Sequence, residues 1–473
     1  MTLHKTRHGM TVARMAVAAL PLLATAVFVC FAEALTGDVA LSFLVLGLAT
    51  SLHCAQAIHG RSNSAADASV FVFGLMFLLV APIVQVLVLG LKLVNTTHAR
   101  PDLLIETNLA CSLFIAVYLL CRVTVFKPVP AEPVNVKPST TAPVISVFAL
   151  AALIAFCGFI TLVSVPFIGA STNDHGLTPV LLASRKFLFF VPTALFLIAL
   201  ADFKSSSARR SFLHVLLLVL LFGLVMATQN PGTEKRNGLG PVYLAVLFLL
   251  FRPQFQRKGV QVAWLSGVLL VLFPVTALLT TIPWRYLNEV NIAWDFMADH
   301  FLTTHYDAWA NIYSAIEMAG RNGLSGGKQL MGALLFYVPS GWWSGKPLAT
   351  GIEIGNYLMT FYTMWFNNLS APLIAEGFLD FGYLGVVAYA TALAAVVKGI
   401  ERWAAPGRAP MSQAIAIYLA FFLVFLLRGS MMIAFAYGSG ALAAFVFSRM
   451  LIALFNVGAA RKLRPVATAQ VLA

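Results

Sequence analysis

The chain has 473 residues, of which 60% are hydrophobic and only 10% charged. Soluble domains carry about 25% charged residues, which excludes an ordinary globular protein and points to a polytopic membrane protein. The formal net charge of +13 would suit a nucleic-acid binder, but its placement along the chain assigns it to membrane topology instead.

Apolar runs near the ~20 residues that a spanning helix needs recur at 12–34, 39–59, 68–91, 103–122, 143–166, 179–200, 211–228, 239–252, 259–281, 372–397, 411–427 and 430–452. The first follows Lys5, Arg7 and Arg14 and superficially resembles a secretory signal. Its apolar length exceeds the ~7–15 residues of a signal core, so it reads as a span. The expected fold is therefore an all-α polytopic membrane protein of about twelve transmembrane helices. Three parts are expected: residues 1–281 as an N-terminal bundle, 282–371 as a large outer loop, and 372–473 as the last spans with a short tail.

An even number of spans puts both termini on one side. With the termini cytoplasmic, about 20 of the 31 basic residues fall inside, opposed there by Asp67, Glu132, Asp202 and Glu401, which is a clear positive-inside bias. Cys30, Cys54, Cys111, Cys121 and Cys157 all lie in or beside apolar runs. With no CxxC, no His/Cys ligand spacing and no P-loop, neither a metal, a nucleotide nor another cofactor is expected.

Some cations break the bias by facing outward. Arg428 sits at a tight turn in LVFLLRGSMMIAF, Arg185 and Lys186 in the outer part of a span, and Lys235 and Arg236 in TQNPGTEKRNGLGP. Arg285 and Lys346 lie on the same side. Each taken alone could snorkel to headgroups or pair with Glu234, Asp174 or Glu376. Taken together they point to an anionic, phosphate-bearing substrate, because guanidinium grips phosphate oxygens in pairs.

The segment between Thr281 and Ala371 is too long for an ordinary loop. It holds Trp284, Trp294, Trp309, Trp342, Trp343 and Trp365, six of the eight tryptophans. Its stretch AWDFMADHFLTTHYDAWANIYSAIEMAG has helical aromatic spacing. Tryptophan at a membrane boundary is commonly an interfacial anchor; aromatic faces here could instead stack on sugar rings.

The order HYDAWANIY, RNGLSGGKQLMGALLFYVPSGWWSGKP and NLSAPLIAEGFLDFGYLG resembles the bacterial Wzy family of O-antigen, or oligosaccharide repeat-unit, polymerases. The likeness covers about residues 283–390 by motif and the remainder by topology. It implies a GT-C-like fold in the bacterial inner membrane with its active site facing the periplasm. The reaction implied is glycosyl transfer from a growing glycan on undecaprenyl pyrophosphate to a lipid-linked repeat unit, with a chain-length regulator as a further partner. Many members have an arginine directly after the loop proline; here Ser340 follows Pro339, so that role does not carry over.

In such a transfer the diphosphate leaves with negative charge, so Arg428, Arg236, Arg185, Lys186, Lys235, Lys346 and Arg285 are the expected contacts. A base for the acceptor hydroxyl is expected among Glu376, Asp307 and His305. Trp342, Trp343 and Tyr337 are the expected glycan contacts. An O-antigen ligase would share this architecture and differ in acceptor. A lipid-linked glycan carrier would show internal repeats, and none is evident.

Overall fold

The computed structural model describes residues 2–33, 35–59, 64–129, 145–168, 178–205, 212–231, 234, 236–255, 259–275, 299–405 and 407–462. Among them there are helices and turns but no strand. In chain order the principal helices are α1 (Thr2–Phe31), α2 (Gly37–His59), α3 (Ala65–Leu89), α4 (Pro101–Thr124), α5 (Val147–Ile168), α6 (Pro179–Ser205), α7 (Phe212–Thr228), α8 (Arg236–Leu250) and α9 (Val260–Val275). They continue as α10 (Ala308–Asn322), α11 (Lys328–Leu334), α12 (Thr350–Tyr362), α13 (Leu373–Phe381), α14 (Tyr383–Ala404), α15 (Pro410–Arg428) and α16 (Met431–Lys462).

Eight of these are long and apolar enough to cross a membrane: α1 to α4, α6, α14, α15 and α16. In the other four apolar runs the described apolar stretch is shorter: Val147–Val163 within α5, Phe212–Thr228, Gly238–Leu250 within α8, and Val260–Val275. Exposed Leu, Val and Phe side chains along the long helices, such as Leu48, Val123 and Leu384, suit hydrocarbon rather than water. The protein is thus membrane-embedded.

The chain divides into two compact units. The first comprises 1–131, 253–402 and 420–435; the second comprises 132–252, 403–419 and 436–473. The segment from Asp299 to Arg402 therefore packs with the first four spans.

Local chemistry explains the helix limits in the first unit. Ser64 caps α3 by accepting the Asp67 N–H at 3.3 Å. The π turn Gly74–Val80 inside α3 is followed by Pro82, which cannot donate to the helical ladder. Pro101 opens α4 at a position where a missing N–H costs nothing.

The expected span 372–397 is two helices instead. Gly382, at φ +62°, ends α13 and lets the chain turn into α14. A second requirement keeps the pair close: a Cβ on Gly385 would lie 1.8 Å from the Gly377 carbonyl oxygen. The two backbones meet there with no room for a methyl group. Glu376 consequently sits on the short helix outside the span, and the stretch expected to run as one helix through HYD breaks at a 3₁₀ turn, Thr304–Tyr306, before α10 begins.

Helix α10 is a core element rather than an interfacial one. Trp309, Ile312 and Tyr313 are fully buried, and the Trp309 indole N–H donates to Asn108 Oδ1 at 2.9 Å. Tyr306 stacks between Phe77 and Phe301, with centroids 5.1 and 4.4 Å away. Gln85 of α3 donates to the Phe301 and Tyr306 carbonyls at 2.9 and 3.0 Å, fixing the 3₁₀ turn to the bundle.

Candidate functional site

The turn Arg428-Gly429-Ser430-Met431 joins α15 to α16, and two acids grip it within the first unit. Arg428 Nη2 donates to the Thr304 carbonyl at 3.0 Å and to Asp307 Oδ1 at 3.2 Å. Its side chain remains a quarter exposed, and its Nε is buried with no hydrogen-bond partner. Asp307 is held in turn by the Ser370 hydroxyl at 2.6 Å. Asn311 donates to Ser370 at 2.9 Å, and Asn95 donates to Asn311 at 2.7 Å. This polar chain runs from the α3–α4 connection to the guanidinium, each donor oriented by the next.

Glu376 approaches from the other side. Its Oε1 accepts the Ser430 hydroxyl at 3.1 Å and the Met431 N–H at 2.9 Å. Met431 is the first residue of α16, so Glu376 caps a helix other than its own. It is 1% exposed, and burial pushes its carboxyl up to about 8 despite these donors. Oε2 accepts no hydrogen bond of good geometry, although the Thr350 hydroxyl is near enough to favour the charged form. That hydroxyl donates instead to Gln329 Oε1 at 2.9 Å. Gln329 in turn donates to Glu353 at 2.5 Å, and burial raises the Glu353 carboxyl as well.

Three of the expected residues therefore meet at one turn, Arg428, Asp307 and Glu376, whereas the half-buried His305 ring lies against His300 and Phe273, with centroids 5.1 and 6.2 Å away. Arg428 and Asp307, expected in separate roles, are ion-paired. Lys346 is spent on a loop, donating to the Phe336 and Val338 carbonyls at 2.7 and 2.8 Å. Tyr337 and Trp342 are exposed and Trp343 is half-buried.

Arg185, Lys186 and Arg236 belong to the second unit. Lys186 Nζ donates to Gln229 Oε1 at 3.0 Å and lies over the Phe190 and Tyr437 rings at 5.2 and 5.8 Å. Arg185 pairs with Glu234 at 3.4 Å, the pairing that local sequence allowed. Arg236 opens α8. Lys235 and Arg285 lie outside the described residues.

Sequence reasoning missed the groups that orient this site: Ser370, Asn311, Thr350, Gln329 and Glu353. Asp307, Asn311, Ser314 and Glu317, polar at helical spacing from the N-cap of α10 along its mostly apolar first turns, were the signal that could have found them. It also missed a second ionic cluster, at the other end of the first unit's spans. Arg122, at the end of α4, donates through Nε and Nη2 to Asp67 at 3.0 and 2.6 Å and through Nη2 to Glu401. Tyr118 donates to Asp67 as well.

One acid of the quoted motifs, Asp380, has a packing role. Asp380 accepts the Ser325 hydroxyl at 2.5 Å, the Gln329 and Leu330 N–H groups at 3.0 and 2.9 Å, and the Tyr389 hydroxyl at 2.8 Å. It thereby caps α11 across 50 residues of sequence. The chain matches no protein-family model, no curated protein and no solved structure. The likeness to the Wzy polymerases thus rests on the quoted motifs alone.

Proposed function

We propose that the protein is a membrane glycosyltransferase that joins oligosaccharide units carried on a polyprenyl diphosphate, working at the end of the first unit where Arg428 lies. One observation carries the reading: a partly exposed guanidinium with a partnerless Nε sits on a four-residue turn whose Ser430 and Met431 bond a buried carboxyl of raised proton affinity. In the reaction, the acceptor hydroxyl oxygen bonds to the anomeric carbon, and the bond from that carbon to the diphosphate oxygen breaks. The hydroxyl proton passes to a base, and the diphosphate leaves with the electron pair.

Arg428 supplies charge where the leaving group develops it. Losing one such contact typically costs about 10²–10³ in rate. Glu376 is the better base, since a proton affinity near neutrality suits proton abstraction. Asp307 is occupied by Arg428 and Ser370 and is the positioning residue for the guanidinium. On this reading the site faces the periplasm, where lipid-linked glycans are assembled, and a chain-length regulator would act beside it.

The test is the full-length protein in liposomes with a synthetic undecaprenyl-diphosphate repeat unit. A ladder of longer lipid-linked glycans supports the polymerase reading, and its loss in Arg428→Ala supports the assignment of the cation. A single transfer of glycan to a lipid A core acceptor, without a ladder, would make the protein a ligase. Movement of intact donor across the bilayer without new bonds would overturn the enzyme reading.

A further inference from the structure

Between Glu317 and Glu353 the chain has no acidic residue, while Arg321, Lys328 and Lys346 are basic. This stretch includes a loop with a closed neck. A Cβ on Gly332 would lie 2.5 Å from Pro347 Cγ and 2.8 Å from Met432 Cε. The last turn of α11 and the returning chain at Pro347 are therefore pinched together beside the start of α16. Between these points the loop folds on itself as a compact Ω-type excursion. The Trp342 N–H donates to the Pro339 carbonyl at 3.0 Å, and the Lys346 N–H to that of Trp343 at 3.0 Å.

The Lys346 ammonium plugs the interior, bonding the Phe336 and Val338 carbonyls; burial lowers its proton affinity. A cation consumed by two backbone carbonyls makes the loop stiff, and the stiff loop holds up apolar side chains. Trp342 at its tip is 87% exposed, Tyr337 57%, and Leu334 and Leu348 at its base about half exposed.

The level of the loop is set by what holds its root. The Ser325 and Gly326 N–H groups donate to the Leu379 and Asp380 carbonyls at 2.7 and 3.0 Å, just before the chain enters the α14 span. Leu324 packs on Gly382, and Phe381 on Gly327. The exposed side chains of Leu324, Met331 and Leu334 thus continue the lipid-facing surface that Leu384 begins on the first turn of that span. Exposed Lys328 adds a cation at the same level.

We infer that the loop 335–346 is a rigid aromatic wedge seated in the headgroup layer of the membrane, with Trp342 at the boundary between headgroups and acyl chains and Lys328 toward anionic phosphates. Tryptophan is favoured at that depth because its ring is apolar and its N–H needs a polar partner. This assignment is independent of the reaction proposed above. It gives Trp342 a bilayer rather than a glycan to touch.

The test uses the full-length chain in phosphatidylglycerol-containing vesicles, comparing wild type with Trp342→Phe so that the difference in emission isolates the Trp342 indole. The tip position tolerates this exchange without risk to folding. The expected result is a difference emission strongly diminished by lipids brominated near the glycerol and weakly by lipids brominated near the chain end, with little loss to aqueous iodide. A Lys346→Met variant should retain the emission but lose the depth preference, because the plug is gone. Quenching by iodide alone would overturn the inference. So would iodide protection that appears only when a soluble oligosaccharide is added, which would make the tip a sugar platform.

Discussion

The first unit carries two ionic clusters at opposite ends of its spans, and they are built to different rules. At one end Arg122 is fully buried and meets two carboxylates and the Phe126 carbonyl, while Tyr118 occupies a further acceptor on Asp67. At the other end Arg428 is a quarter exposed, meets one carboxylate and keeps a nitrogen without a partner. The first cluster is saturated and ties α3, α4 and α14 together. The second is unsaturated, and its acid Glu376 touches no cation but a helix N-terminus. A saturated network specifies a fold; an unsaturated one retains capacity for a ligand.

The largest expected effect separates them by stability. Arg122→Ala should cost about 3–5 kcal/mol, because it strands buried carboxylates; thermal unfolding in detergent measures this. Replacing Arg122 by Met together with Asp67→Asn and Glu401→Gln should recover most of the loss. If Arg122→Ala is as stable as wild type, the two clusters are not different in kind.

Arg428→Ala should do the reverse. Product formation from a polyprenyl-diphosphate donor should fall about 10²–10³-fold, while the donor lost to the buried Asp307 carboxylate costs about 1–3 kcal/mol of stability, less than Arg122→Ala. A mutant that loses stability but keeps its rate would make this turn a structural staple like Arg122.

Glu376 sharpens the contrast through pH. Its folded carboxyl titrates near 8 against an ordinary value of 4.5, so the folded state holds its proton more tightly than the unfolded state. The stability this gives is complete below pH 4.5, falls as pH rises through the window from 4.5 to 8, and is flat above. Glu376→Gln should reduce that slope in denaturation measured across the window, leaving the share of Glu353, whose carboxyl burial also raises, and should also remove activity. A slope unchanged from wild type would show that Glu376 does not titrate in this window.

The smallest effect concerns orientation. Ser370→Ala removes one donor to the buried Asp307 carboxylate and should cost about 1–2 kcal/mol. It should also weaken Arg428→Ala as a second mutation, since both act through Asp307. Strict additivity of the pair would deny the polar chain its role.

Much of the fold was legible because hydrocarbon demands it: over their described residues the apolar runs became helices, 372–397 splitting at Gly382, and eight helices are long and apolar enough to span. The break at Gly382 was not legible, since glycine inside an apolar run is tolerated in membrane helices and only the meeting of Gly377 with Gly385 requires a turn there. Of the site, Arg428 and Glu376 stood out as charges in costly places and Asp307 as a candidate base in HYD, and the structure brings the three to one turn. Their pairing could not be read, because Asp307 and Arg428 are 121 residues apart. The same holds for Asp67, which local sequence showed as one of a few acids opposing the inside basic residues, and which the fold pairs with Arg122.

The crossing of Gly377 and Gly385 has a consequence for anyone hunting relatives of this chain. A screen that scores tolerance to substitution will mark both glycines, and Asp380 between them, as inviolable as any reacting group, although none of the three touches a substrate in the proposed reaction. The stretch of letters most apt to betray common ancestry would then be a record of how two helices are hinged, and would be silent on which sugars pass by.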